Sequence, residues 1–170
     1  GEYLINLDFS EQRIANFGNC PPQPLPCDCP AGTDPGGNLA QNGNFSGSGG
    51  FSTSYTLNNN PTLQVGEYWI GTNPSQINAG FASCGDHTTG SGNMMVVNGA
   101  ANQNTSVWCQ TFTMAPNSSY KFEGWIASLS GASPAQLNIN FQINNVIWSQ
   151  QVFAPTSTCN WEPFCFPWTN

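Results

Sequence analysis

Tyr3, Ile5, Leu7 and Phe9 lie on one face of an extended segment and Asn6, Asp8 and Ser10 on the other, with Leu4 the one break in the polar row. A segment patterned this way is a β-strand that needs a sheet, and nothing beside it in sequence supplies one. The chain then runs through residues 18–37, dense in Pro, Gly and Cys, with Cys20-Pro21-Pro22-Gln23-Pro24-Leu25-Pro26-Cys27-Asp28-Cys29-Pro30 at their centre. Prolines donate no ladder hydrogen bond and exclude a helix. The strand is therefore an arm (residues 1–17), separated by a linker (18–37) from a domain (38–170). Either the arm folds back onto its own sheet or it completes the sheet of another molecule.

Beyond the linker, short runs of strand-forming residues alternate with clusters of Asn, Gly, Ser and Pro, and no window of ten residues has helical periodicity. The pattern predicts an all-β domain with strands at 39–45, 51–57, 65–70, 94–97, 107–114, 120–129, 135–143, 146–153 and 161–168. Leu137, Ile139, Phe141 and Ile143 alternate with Asn138, Asn140, Gln142 and Asn144, which gives one core face and one amide face. Asn144-Asn145 then turns the chain into Val146, a hairpin signal. So many strands in about 130 residues predict a double-sheet jelly roll. The longest irregular stretch, 71–93, carries Cys84-Gly85-Asp86-His87-Thr88-Thr89-Gly90, and loops of this length are usually functional or pinned by a metal.

Asn38-Leu39-Ala40-Gln41-Asn42-Gly43-Asn44-Phe45, Gly85-Asp86-His87-Thr88, Gly92-Asn93-Met94-Met95-Val96-Val97-Asn98-Gly99 and Val107-Trp108-Cys109-Gln110, in that order, resemble the galactose-binding-like, carbohydrate-binding-module jelly rolls of secreted bacterial surface proteins. The resemblance covers residues 38–168. Such domains usually carry an acid after the opening Asn-Gly-x-Phe motif, where Ser46 stands here. They usually close with an acidic–apolar strand after the last one seen here, and the arm from Tyr3 to Phe9 is similar to that strand. The resemblance implies a structural Ca²⁺ near the 42–46 turn, with Asp86 or Asp8 contributing an oxygen; calcium takes six to eight oxygen ligands.

Only 6% of the residues are charged, Arg13 and Lys121 are the only Lys or Arg, and the net charge is −7. Nucleic acid and anionic membrane surfaces both require clusters of cations, so neither is an expected partner. No run approaches the ~20 apolar residues of a membrane span. The seven cysteines point to an oxidising, extracellular compartment, with Gly1 read as a processed start. The expected pairs are Cys84 with Cys109 and Cys159 with Cys165. That leaves Cys20, Cys27 and Cys29 with one bridge and one spare thiol, for which an intersubunit bond, a buried free cysteine and a partner elsewhere all stay open. Those three also lack an evident fourth ligand for zinc.

The domain has four carboxylates, Glu67, Asp86, Glu123 and Glu162, and one histidine, His87. No spacing places two of the carboxylates together as a glycosidase pair, and no activated Ser or Cys accompanies His87, so a non-enzyme is expected. Trp125, on the face of its strand opposite Phe122 and Ile126, is the candidate for sugar stacking. Asn44, Asn104 and Asn117 head N-x-Ser/Thr glycosylation patterns. The leading expectation is an extracellular, cell-surface subunit that forms a homopolymeric fibre by donor-strand exchange, with Tyr3, Ile5, Leu7 and Phe9 at the subunit interface. The alternative is a polysaccharide-binding or adhesin module of a longer protein.

Overall fold

The computed structural model describes residues 2–13, 34–35, 37–47, 49–102, 105–143 and 146–169. The fold is mainly β, and among the described residues it has a single 3-10 turn at Pro74–Gln76. The strands are β1 (Glu2–Arg13), β2 (Asp34–Pro35), β3 (Thr56–Leu57), β4 (Glu67–Gly71), β5 (Met94–Asn98), β6 (Ser119–Ser128), β7 (Gln136–Ile143), β8 (Val146–Phe153) and β9 (Glu162–Thr169). Seven strands form one sheet in the order β3-β4-β5-β1-β6-β9, with β2 attached to the end of β1, and β7-β8 form a separate hairpin.

The arm is the centre of the large sheet. Tyr3 through Glu11 pair antiparallel with Ser128 through Tyr120 of β6, and Glu2 through Ile5 pair antiparallel with Asn98 through Met95 of β5. The intramolecular alternative is thus the one realised within a single chain. Among the described residues β5 and β6 are joined only through β1, so there the arm bridges two halves that otherwise share no ladder. The register sets Tyr3 opposite Val97 and Ser128, Ile5 opposite Met95 and Ile126, Leu7 opposite Gly124, and Phe9 opposite Phe122.

Both faces of the sheet are covered, which is why all four residues Met94–Val97 of β5 are fully buried. In front, Met95, Val97, Phe122, Ile126, Phe164 and Phe166 pack with Phe45, Tyr55 and the hairpin residues Leu137 and Val152. At the back, Met94, Val96, Ala127 and Leu129 pack under Leu63, Ile77 and Cys84. A side chain of this size contributes about 1.5–3 kcal/mol when fully buried, so each cluster is a substantial share of a domain's net stability.

The all-β expectation is met in its mainly β character, while the second sheet holds, among the described residues, the β7-β8 hairpin alone. Two expected strands do not form. In 39–45, Asn42 and Phe45 adopt left-handed φ of 57° and 54°, and the Asn42 side chain bonds loop backbone at Gly47 and Gly49. That is the competition with ladder bonding typical of short polar side chains. In 107–114 only Cys109 bridges, to Ser52, and Gln110 spends its amide on Gln41 and Gly50.

Two disulfide expectations are corrected. Cys84 pairs with Cys159, with Cα atoms 5.4 Å apart, and not with Cys109, which is a free, exposed thiol. Cys159 is accordingly not bonded to Cys165, which is itself disulfide-bonded. Cys159 and Cys165 are held apart by β9, along which Cys165 stands opposite Glu123. The linker cysteines Cys20, Cys27 and Cys29 lie outside the described residues.

Candidate functional site

Two features qualify as sites: the slot that β1 occupies, and an aromatic cluster on the back of the sheet beside it. The slot follows from the register. Its walls are β5 and β6, its front-face positions are Met95, Val97, Phe122 and Ile126, and Gly124 stands opposite Leu7. A strand with apolar residues at every second position and no interior proline satisfies both ladders at once, and the arm is such a strand. The candidate interface positions Tyr3, Ile5, Leu7 and Phe9 are the arm positions opposite these core residues.

On β6, alternation turns Lys121, Glu123, Trp125 and Ala127 to the back. The Lys121 ammonium is 2.6 Å from the Glu123 carboxylate, the partner a buried lysine requires. The arm's polar positions Asn6, Asp8 and Ser10 stand in register with Trp125, Glu123 and Lys121. Asp8 is therefore placed at the Glu123 position of the sheet, and Asp86 belongs to the loop that overlies Trp125.

That loop is built around the Asp86 carboxylate, which accepts hydrogen bonds from the Thr88, Thr89 and Gly92 backbone N–H groups (3.1, 2.9 and 2.6 Å) and from the Thr89 hydroxyl (2.8 Å). Burial pushes this carboxyl up, but the bonds from Thr89, Gly92 and Thr88 outweigh it and hold the group below its ordinary value. A carboxylate depressed in the folded state stabilises the fold above its unfolded pKa and loses that contribution as pH falls through the lower, folded value. Gly85 is required here, since a Cβ would lie 2.2 Å from the Gly90 carbonyl oxygen. Replacing Asp86 by Asn removes the charge but not the shape. It is expected to lower stability by about 2–3 kcal/mol at neutral pH, and the difference should shrink as pH drops below the carboxylate range; urea melts at several pH values check both.

With the loop fixed, the His87 ring stacks on Trp125, centroids 3.9 Å apart and planes 16° from parallel. Trp161 meets His87 edge-on at 6.3 Å, held by its Nε1–H donating to the Gly85 carbonyl at 3.1 Å. Burial against these rings pushes the His87 pKa down, and the neighbouring Asp86 charge offsets part of the shift. The neutral imidazole is the form that belongs to this stack.

The structure thus brings Trp125 together with His87 and Trp161, and one face of the Trp125 indole is occupied by His87 rather than open to a sugar. Neither His87 nor Trp161 was singled out by pattern as its neighbour. The available signal was Trp161 standing two residues after Cys159, whose bond to Cys84 draws it to the 85–92 loop. Asp86 spends its oxygens on that loop, and among the described residues no group of three or more His, Cys, Asp or Glu is placed to hold a metal ion.

Of the glycosylation candidates, Asn44 is exposed, with its Oδ1 accepting from the Ser46 N–H (3.1 Å) and hydroxyl (2.9 Å). Asn117 is exposed at a turn with φ of 55°, and Asn104 lies outside the described residues. No helix is long and apolar enough to cross a membrane. No family model, curated protein or solved structure matches the chain.

Proposed function

We propose that the protein is an extracellular structural subunit, its domain a jelly-roll variant, that assembles head to tail by exchange of β1 between neighbouring copies. The observation that carries this reading is the central position of the arm. A strand contributed from the far end of a twenty-residue connection, 14–33, supplies both ladders between β5 and β6, so an identical strand from another copy satisfies the same slot with the same bonds. Exchange of this kind adds no strain beyond opening the connection, and a head-to-tail contact that does not close gives a filament. The Cys84–Cys159 bridge is compatible with an oxidising compartment.

Refolding from denaturant decides the matter, because intermolecular insertion competes with self-insertion only at high protein concentration. At high concentration the full chain is expected to give a ladder of oligomers that persists on dilution, and free peptide 1–13 in excess should cap the slots and shorten it. A full chain that refolds only to monomer at every concentration defeats the proposal.

A polysaccharide-binding role is the second reading. It is favoured by the partly exposed Trp125–Trp161 pair, and it would be seen as glycan-dependent quenching of tryptophan emission that Trp125→Ala removes.

A further inference from the structure

Asn44-Phe45-Ser46 and Asn117-Ser118-Ser119 are both N-x-Ser sequences whose asparagine is exposed, but the fold presents their third residues differently. Transfer of a glycan needs both ends of such a sequence at once, because the asparagine amide is the acceptor and the hydroxyl two residues on completes the pattern that is recognised. Ser119 is 8% exposed and opens β6, paired with Thr169 of β9, so the third residue of that sequence is inside the folded domain. Ser46 is exposed together with Asn44, while Phe45 between them is 1% exposed.

The loop backbone accounts for this presentation. Phe45 takes a left-handed φ of 54°, its ring joins the front cluster with Phe51 and Tyr55, and its two neighbours stay outside. Its N–H donates to the Asn42 carbonyl at 3.0 Å, and its own carbonyl accepts from the Asn93 side-chain amide at 2.9 Å. Asn42 ties the rest of the loop to itself through Gly47 and Gly49. None of these bonds uses the Asn44 side chain, so the loop is anchored independently of it.

We propose that Asn44 accepts an N-linked glycan in the folded protein, from a glycosyl phosphate donor carried on a lipid. The Ser46 hydroxyl and N–H donate to Asn44 Oδ1 at 2.9 and 3.1 Å, and neither bond engages Nδ2, the atom that is glycosylated. Donors on Oδ1 stabilise the negative charge that gathers there as Nδ2 gives up a proton, which is what turns an unreactive amide nitrogen into a nucleophile. Nδ2 then bonds to the anomeric carbon of the sugar. The bond from that carbon to the phosphate oxygen breaks, the phosphate leaves with the electron pair, and the Nδ2 proton passes to a base of the transferase. Contact with such a donor requires export, as in the reading above, whereas the acceptor geometry belongs to the chain alone.

The test incubates purified, folded chain with an oligosaccharyl transferase and a lipid-linked oligosaccharide of known mass, and peptide mapping reads the occupancy of each asparagine. Occupancy at Asn44 is expected to be at least about tenfold above that at Asn117. Asn44→Gln and Ser46→Ala should each abolish the Asn44 product and Ser46→Thr should keep it; at exposed positions outside the loop's anchors these substitutions leave the fold in place. Reduced and denatured chain should take the glycan at Asn117 as well, once Ser119 is released from β6. With a short Asn-x-Thr peptide showing that the enzyme is active, a folded chain that stays unmodified, or that is modified at Asn117 as readily as at Asn44, overturns the proposal. A chain that is glycosylated at Asn44 yet refolds only to monomer overturns arm exchange and leaves this site standing.

Discussion

Removal of residues 1–12 is expected to unfold the domain rather than merely to prevent assembly. Among the described residues β1 is the only strand joining β5 to β6, and without it nine paired positions on β6 and four on β5 lose their ladder inside a sheet covered on both faces. Losing both ladders of a central strand at once is an effect comparable with the whole net stability of an ordinary domain, about 5–15 kcal/mol. The truncated chain should therefore lack a cooperative thermal transition and expose apolar surface to hydrophobic dyes. Adding peptide 1–13 in trans should restore the transition with a midpoint that rises with peptide concentration, as binding to the folded state alone requires. A truncated chain that melts cooperatively without peptide would show that the slot closes by itself and that the arm is an accessory. Ile5→Asp, placed opposite Met95 and Ile126, offers a milder version: the peptide carrying it should fail to restore folding.

How far the sequence announced this arrangement depends on the range of the interactions. Period-two alternation is local, so the arm was legible as a strand in need of a sheet, and the hairpin appears as β7 and β8 with the second strand at its expected bounds, 146–153. Position in the sheet is not local. Tyr3 and Ile5 carry no mark that they stand between Val97 and Ser128 or between Met95 and Ile126, because that choice is made by contacts about a hundred residues away. Segments 39–45 and 107–114 have strand composition but no ladder partner over most of their length, and their Asn and Gln side chains bond nearby backbone instead. β-propensity describes what suits a pleated, half-buried surface, and where no such surface is offered it misleads. The site shows the same division. Asp86, Gly85 and Gly90 could be read as a turn, but the stacking of His87 on Trp125 stands beside a bond between Cys84 and Cys159, and cysteine spacing leaves connectivity open. The expected pairs followed proximity in sequence, whereas a bridge joins residues that the fold has already brought to about 5–6 Å between Cα atoms.

That bridge also predicts the second large effect. Cys84 and Cys159 are separated by 75 residues, and closing a loop of that length restricts the unfolded chain by about 4 kcal/mol. Cys84 is buried in the rear cluster with Met94, Val96 and Ala127, and Cys159 packs at its margin beside Trp161, so the bond also anchors the 71–93 stretch over the back of the sheet. Replacing both cysteines by Ala is expected to lower the melting temperature by roughly 10 °C for a chain of this size. Cys109→Ser, at an exposed thiol outside both clusters, should leave it unchanged. The two contributions of the bridge separate by position. If the bond acts only on the unfolded chain, the double variant will melt earlier yet keep the His87 ring-proton shifts caused by the Trp125 indole. If it also positions the loop, those shifts will collapse toward free-histidine values well below the melting temperature, because Trp161 and Gly85 lose the anchor that brings them together. The second outcome is expected, since Trp161 lies two residues from Cys159 and its indole bonds the residue next to Cys84. A double variant that melts with the wild type would show that the contacts of the rear cluster hold the loop without the covalent bond.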